Sequence, residues 1–524
     1  MAVLPEERAD RLLEEFGYEN WRPGQREAVA ATLEGRDSLI VMPTGGGKSL
    51  CYQLPGLASS DLTIVVSPLI ALMRDQWERL VAKGHPAAMV SSGMKRREIR
   101  EALVQVGQDA RIVFCAPERF WSDEFLEALA FRRIDLIAVD EAHCVSEWGH
   151  DFRPHYLRLP RVAKQLGWPT IMACTATATE EVAEEIAKRF QMEDPLQVRT
   201  GFDRRNLSFD VVWIEGKRVK ARRQEILEAG LRNPANRPAI VYCGTRRDTE
   251  RVATKLGEAG IDALAYHAGM KAKDRTDVQE AFMGGESDLI VATNAFGMGI
   301  DKADVRSVWH MAIPTSVEAY YQEAGRAGRD GQPAQAILLA VEADLTRLRS
   351  FNEDRAGNPR LAIAYKRGWL AYDVIKAFVY SKRCRRRALL DHFSDRAAGE
   401  PLHRCCDVCD PQTWLRDVPT KIPRKGRRRQ RRDWRQHANR GANRGAARPR
   451  SSGDTRLLGP LKSWRQSAAG SRPLYTVATN RTLEAIADAK PADVDELLEV
   501  DGVGRSFVTK HAKAVLAVIA QDSR

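Results

Sequence analysis

Short apolar runs alternate with longer stretches whose apolar positions recur every three or four residues along most of this 524-residue chain. The runs Ser38-Leu39-Ile40-Val41, Thr63-Ile64-Val65-Val66, Ile112-Val113-Phe114, Leu136-Ile137-Ala138-Val139 and Ile171-Met172-Ala173-Cys174 read as strands buried on both faces, and the stretches between them read as helices. Strand and helix in alternation predict a parallel, doubly wound sheet, because each crossover places a helix over a face. A second series follows with Ala239-Ile240-Val241-Tyr242, Ala263-Leu264-Ala265-Tyr266, Leu289-Ile290-Val291-Ala292 and Val308-Trp309. The pattern therefore predicts two α/β domains in tandem, residues 1–207 and 208–345, joined near Gly201 to Leu207.

Beyond Val341 the pattern turns helical and basic through Phe393, then meets a crowd of cysteines, so residues 346–412 read as a helical module. Residues 413–455 are rich in Arg, Gly, Asn and Pro and repeat Ala-Asn-Arg-Gly at 438–445, a composition that cannot bury a core and predicts a disordered linker. From 456 to 524 helical spacing returns (Leu483, Ile486, Ala487; Val494, Leu497, Leu498; Val515, Val518, Ile519), predicting a small all-α bundle.

Composition adds two points. The net charge is +12, and residues 421–450 alone hold thirteen Lys and Arg against one acid, Asp433, so the basicity is local. No run of eighteen apolar residues and no signal peptide are seen, which predicts a cytoplasmic protein away from membranes. Cys51, Cys115, Cys144, Cys174 and Cys243, scattered among apolar residues, then read as reduced core residues.

Chemistry enters at strand ends, where open α/β sheets bind ligands. Val41-Met42-Pro43-Thr44-Gly45-Gly46-Gly47-Lys48-Ser49 follows a strand and opens a helix. Its glycines turn backbone N–H groups inward, Lys48 reaches the β- and γ-phosphates, and the Ser49 hydroxyl suits Mg²⁺. Met42 stands where the strict phosphate-loop pattern has glycine. Asp140-Glu141-Ala142-His143 tips another strand, with Asp140 placed for Mg²⁺ and Glu141 for the attacking water. Arg326 and Arg329, three apart in a run that begins Tyr320-Tyr321-Gln322, suit arginine fingers supplied by the second domain.

Together with Arg22-Pro23-Gly24-Gln25, Ser67-Pro68-Leu69-Ile70, Ala116-Pro117-Glu118-Arg119, Thr175-Ala176-Thr177-Ala178, Ala295 to Ile300 and Gln322 to Gly331, these motifs resemble the series of RecQ DNA helicases over residues 12–410. The resemblance implies two RecA-like domains and an ATP-dependent motor moving 3′ to 5′ on single-stranded DNA in repair and recombination. Met42 is a departure that superfamily 2 helicases tolerate. The resemblance assigns nucleotide binding to Arg22, Gln25, Thr44 and Gly45 through Ser49, with Gln25 at the adenine, and catalysis to Lys48, Asp140, Glu141, Gln322, Arg326 and Arg329. Trp148, His150, Phe152 and Arg153 resemble the aromatic loop that couples DNA to hydrolysis.

Cys384, Cys405, Cys406 and Cys409 point to zinc. The family's spacing of its last three ligands falls on His403, Cys406 and Cys409, so with Cys384 the expected set includes His403; Cys405 is the alternative, disfavoured because adjacent ligands would strain a tetrahedron. RecQ proteins commonly carry a winged helix after this module, and residues 410–455 cannot build one. Residues 456–524 resemble the HRDC module, in which Tyr475 matches a DNA-contacting position and Arg472, Arg481 and Lys510 are further candidates; some such modules bind protein instead. Implied cofactors are ATP, Mg²⁺ and Zn²⁺. Implied partners are single-stranded and duplex DNA and single-stranded-DNA-binding protein, at the nucleoid or in the nucleus. Competing readings are a DNA-stimulated ATPase that remodels or anneals without efficient unwinding, and an RNA helicase.

Overall fold

The structure, a computed structural model, describes residues 5–43, 45–146, 153–297, 302–355, 362–417, 455–469, 477–478, 480–498, 500, 503 and 505–522. It divides into two compact units, residues 1–425 and 426–524.

The first unit holds two sheets. Strands β1 (Ser38–Val41), β2 (Leu62–Val66), β3 (Ala87–Val90), β4 (Ile112–Cys115), β5 (Ile134–Val139), β6 (Thr170–Thr175) and β7 (Leu196–Arg199) lie in the order β3-β4-β2-β5-β6-β1-β7. Strands β8 (Leu207–Trp213), β9 (Ala239–Tyr242), β10 (Leu264–Tyr266), β11 (Leu289–Ala292), β12 (Ser307–His310) and β13 (Ala334–Ala340) lie in the order β10-β11-β9-β12-β13-β8. Every pairing is parallel. Alternation along a strand explains the unbroken apolar runs: Leu39 and Val41 enter one core, while Ile40 and Met42 enter another on the opposite face.

β3, β7, β8 and β13 are additions to the predicted strands. In β8 the polar Ser208 and Asp210 interrupt the apolar pattern, yet both are buried, because the cysteine module covers that edge. Arg404 supplies the charge partner: it bonds Asp210 and donates to the Ser208 hydroxyl at 3.1 Å. Burial nonetheless raises the Asp210 carboxyl to about 6.

Two helices, Ala362–Tyr380 and Arg385–His392, pack Phe378, Leu389, Leu390 and Phe393 into the same core as Phe202 and Tyr321. Within the first residues of the expected linker, Thr413–Asp417 forms a helix with Leu415 only 3% exposed against the second sheet's core. Residues 418–454 lie outside the described residues, so the expected disorder there, and the expectation that no winged helix fits, have no structural counterpart. In the second unit the helices Thr455–Ala469, Asn480–Ala489, Val494–Leu498 and Arg505–Asp522 enclose Leu461, Leu483, Ile486, Leu497 and Val515.

Candidate functional site

The glycine loop between β1 and the helix Lys48–Ala58 turns as its sequence requires. Gly45 and Gly47 both sit at φ 83°, where a side chain is strained. A Cβ on Gly47 would also stand 2.3 Å from the Gln25 amide nitrogen, and one on Gly46 would stand 2.9 Å from the Pro43 carbonyl. Side chains at these three positions would therefore be strained or would clash. Lys48 Nζ donates to the Met42 carbonyl at 3.0 Å, which holds the ammonium over the loop.

Arg22 and Gln25 brace this loop from outside. Arg22 Nη1 donates to the Gly45 carbonyl, and Gln25 Nε2 donates to the Gly47 carbonyl at 2.9 Å while its oxygen accepts from the Arg22 backbone N–H at 2.9 Å. Gln25 is 2% exposed, and both ends of its amide bond backbone groups.

Asp140 and Glu141 follow β5. The Asp140 N–H donates to the Val66 carbonyl at 2.8 Å, and the Ser67 hydroxyl donates to the Asp140 carboxylate at 3.3 Å. Burial raises the Asp140 pKa, and the Lys48 charge opposes that rise. Glu141 takes a left-handed φ of 49°, which throws its carboxylate across the strand end beside the His143 ring, 3.3 Å from Nδ1. His143 Nδ1 also lies 2.9 Å from the Thr175 hydroxyl, linking this motif to the tip of β6.

From the second sheet come Gln322, on the helix Val317–Ala324, and Arg326 and Arg329 in the turn after it. Arg326 is 6% exposed and lies against Gly297, where a Cβ would be 2.9 Å from its Nη2. One cleft of about 320 Å³ is lined by Arg22, Gly45, Gly47, Lys48, Ser49, Asp140 and Glu141 from the first domain and by Gln322, Arg326 and Arg329 from the second. Gly46 shapes the loop without lining the cleft. Thr44 lies outside the described residues, as do Trp148, His150, Phe152, Arg472 and Tyr475. Arg153 is described, and its guanidinium donates to the Pro68 carbonyl at 3.4 Å. Arg481 and Lys510 stand on the helices Asn480–Ala489 and Arg505–Asp522.

Most of the remaining contributors lie outside the motifs read from the sequence. Tyr52 and Gln76, joined by a 2.9 Å hydrogen bond, line the cleft with Leu69 and Leu72. The Tyr156 hydroxyl donates to the Asp140 carbonyl at 3.0 Å. In the segment between the sheets, Arg204 donates to the carbonyls of Gly325, Ala327 and Gly328 at 2.8, 2.9 and 3.0 Å, clamping the turn that carries both arginines. That segment is gripped in turn by Arg386, 1% exposed, which bonds Asp203 and the Arg204 and Leu207 carbonyls.

The sulfurs of Cys384, Cys405, Cys406 and Cys409 all lie within 4.8 Å of one another. His403, included in the expected ligand set, is exposed and stands outside this group, whereas Cys405 lies in it. The cause is the backbone. Phe209 in β8 donates its N–H to the Cys405 carbonyl at 3.1 Å, and Asp407 donates to the Phe209 carbonyl at 3.4 Å, so the register of 405–407 is set by the sheet edge. The Sγ atoms of Cys384 and Cys405 are 3.6 Å apart, against about 3.8 Å for the edge of a tetrahedron with Zn–S bonds of about 2.3 Å. Burial and the Cys384 thiol push the Cys405 thiol up to about 11, whereas at Cys384 the Arg387 N–H and the neighbouring thiols outweigh burial and bring the thiol below its usual value.

Two parallel sheets with a shared phosphate cleft define a helicase core. Residues 22–186 match the DEAD/DEAH box helicase family, 221–331 the helicase conserved C-terminal domain and 454–519 the HRDC domain. The DEAD-box helicase Mss116 bound to single-stranded RNA superposes with a TM-score of 0.54 at 16% identity, covering 67% of this chain and 78% of that one. The helicase MrfA bound to DNA and AMPPNP gives 0.54 at 21%, covering 72% and 57%. At such identities these two show the fold alone. The ATP-dependent DNA helicases RecQ of Pasteurella multocida and Bacillus subtilis are 38% and 39% identical over 398 and 393 residues, about three quarters of this chain. The chain belongs to the RecQ family of helicases. It spans 60% of the length of the first of these relatives and 65% of the second.

Proposed function

We propose that this chain is an ATP-dependent DNA helicase, translocating 3′ to 5′ on one strand and separating duplex in repair and recombination. The observation that carries this reading is the single cleft lined by Lys48, Ser49, Asp140 and Glu141 on one side and Gln322, Arg326 and Arg329 on the other. Neither domain alone holds a full set. ATP bound there would draw the two sheets together, and its hydrolysis would release them, which converts chemistry into stepping.

In this reading Lys48 binds the β- and γ-phosphates. Ser49 and Asp140 would hold Mg²⁺, which offsets phosphate charge when bound. Glu141 orients the attacking water and accepts its proton as the water oxygen bonds to the γ-phosphorus and the bridging oxygen leaves with ADP. Arg326 and Arg329 stabilise the charge that spreads over the transferred group. Gln322 faces the same group. Gln25 is proposed at the adenine, and its bond to the Gly47 carbonyl also ties it to the loop.

We further propose Zn²⁺ at Cys384, Cys405, Cys406 and Cys409. DNA is the proposed partner, with single-stranded-DNA-binding protein as a second, and the nucleoid or nucleus as the place of action. Among the described residues no helix is long and apolar enough to cross a membrane. The deciding measurement pairs ATP hydrolysis with displacement of a 3′-tailed strand, using Lys48→Ala as the control. Hydrolysis stimulated by DNA with no displacement would leave a translocating or annealing ATPase, and stimulation by RNA instead of DNA would overturn the reading.

A further inference from the structure

Outside the cleft, one exposed aromatic cluster stands at the carboxyl end of the first sheet. Trp121 closes the short helix Pro117–Trp121 that follows β4. Its neighbour Phe120 is 7% exposed and enters the core, whereas Trp121 is 40% exposed and joins none of the apolar clusters among the described residues. Two groups hold its ring. The His155 ring meets it edge-on, with centroids 5.1 Å apart at 68°, and the Arg158 guanidinium lies 5.0 Å from the ring centroid.

Both partners come from the short helix Pro154–Arg158, which presents them three residues apart on its exposed side. Tyr156, between them, is fully buried and donates its hydroxyl to the Asp140 carbonyl at 3.0 Å. One short element therefore touches both the exposed ring and the acid placed for Mg²⁺. The segment that supplies both partners, residues 153–168, carries Arg153, Arg158, Arg161 and Lys164 and no Asp or Glu, whereas the ring's own segment has Glu118, Asp123 and Glu124. A lone half-exposed tryptophan is unremarkable on a protein surface. A tryptophan fixed by an arginine and a histidine, both from a segment with only positive charge, has the composition of a base-stacking platform.

We propose that Trp121, with His155 and Arg158, stacks one base of single-stranded DNA, and that Arg158 and Arg161 meet its phosphates. This rests on the DNA-motor reading and adds a contact to it. The test uses the full chain, a labelled oligothymidylate and three variants, Trp121→Ala, Trp121→Leu and Trp121→Phe. Stacking is worth about 1–3 kcal/mol per base, so Trp121→Ala and Trp121→Leu should each weaken binding roughly 5- to 150-fold. Trp121→Phe should stay within about threefold of wild type. The salt dependence of Trp121→Leu should match wild type, while that of Arg158→Ala should fall by about one ion. Hydrolysis of ATP without DNA should be the same in all of them. If wild type binds the oligonucleotide and Trp121→Leu binds equally well, the platform is overturned and the motor reading stands. If wild type itself fails to bind, both fall.

Discussion

Arg329 reaches across the cleft onto the phosphate loop: its Cγ lies 3.6 Å from where a Cβ on Gly45 would stand. The contact joins a residue of the second sheet to the glycine turn of the first. Arginine fingers contribute about 10³–10⁵ to turnover, so Arg329→Ala and Arg326→Ala should each lower DNA-stimulated kcat by roughly a thousandfold. Nucleotide affinity, followed with a fluorescent analogue, should change far less. A variant hydrolysing at the wild-type rate would remove that arginine from the mechanism.

Arg204 is not among the described residues lining the cleft, yet it holds three carbonyls of the turn that carries Arg326 and Arg329. Displacing a catalytic group by about 1 Å costs on the order of 10²-fold, and Arg204→Met should therefore lower kcat by roughly 10- to 100-fold with KM for ATP little changed. Arg204→Lys, which restores charge but only part of the fork, should recover part of the rate. A rise in KM at constant kcat would contradict a positioning role.

For the cysteine cluster, metal content decides. Cys405→Ser and Cys406→Ser should each purify with zinc below one equivalent, and His403→Ala should retain a full equivalent. Because such a site couples to folding, the two cysteine variants should also melt earlier than wild type. Retention of zinc by Cys405→Ser with loss in His403→Ala would restore the ligand set expected from sequence.

His392, on the helix after Cys384, pairs with Glu318 at 2.8 Å on the helix that carries Gln322. Burial works to raise the Glu318 carboxyl, but the hydrogen bond and charge of His392 outweigh it and bring the carboxyl down to about 2, from an ordinary value of 4.5. A carboxyl lowered in the folded state adds stability above its unfolded pKa, and that stability fades as pH falls from about 4.5 towards 2. The shift corresponds to at most about 3 kcal/mol. The stability gap between wild type and Glu318→Gln in urea unfolding should thus be widest near neutral pH and narrow steadily below about pH 4.5. A gap independent of pH would show that this pair contributes nothing through charge.

The two sheets, the glycine loop, the acids at β5 and the paired arginines were legible because each is written in a few consecutive residues. Their periodicity or spacing carries the geometry. What stayed hidden depends on partners distant in sequence: Arg204 and its carbonyls are 121 to 124 residues apart, and Arg386 and Leu207 are 179 apart. β8 was missed for the same reason, since Asp210 in a strand makes sense only once Arg404 is beside it. A local argument about adjacent ligands disfavours Cys405, yet the register imposed by Phe209, far upstream, brings its sulfur into the group of four.

β8 is the last strand of its sheet, and an uncapped strand edge invites pairing with another chain. Here Cys405, Cys406 and Asp407 lie along that edge and take up both hydrogen-bonding groups of Phe209. The cysteine cluster is thereby a clasp on a sheet as well as a site for an ion. Loss of the cluster should uncover the Phe209 N–H and carbonyl at that edge, which would link the chain's tendency to pair with copies of itself to four sulfur atoms.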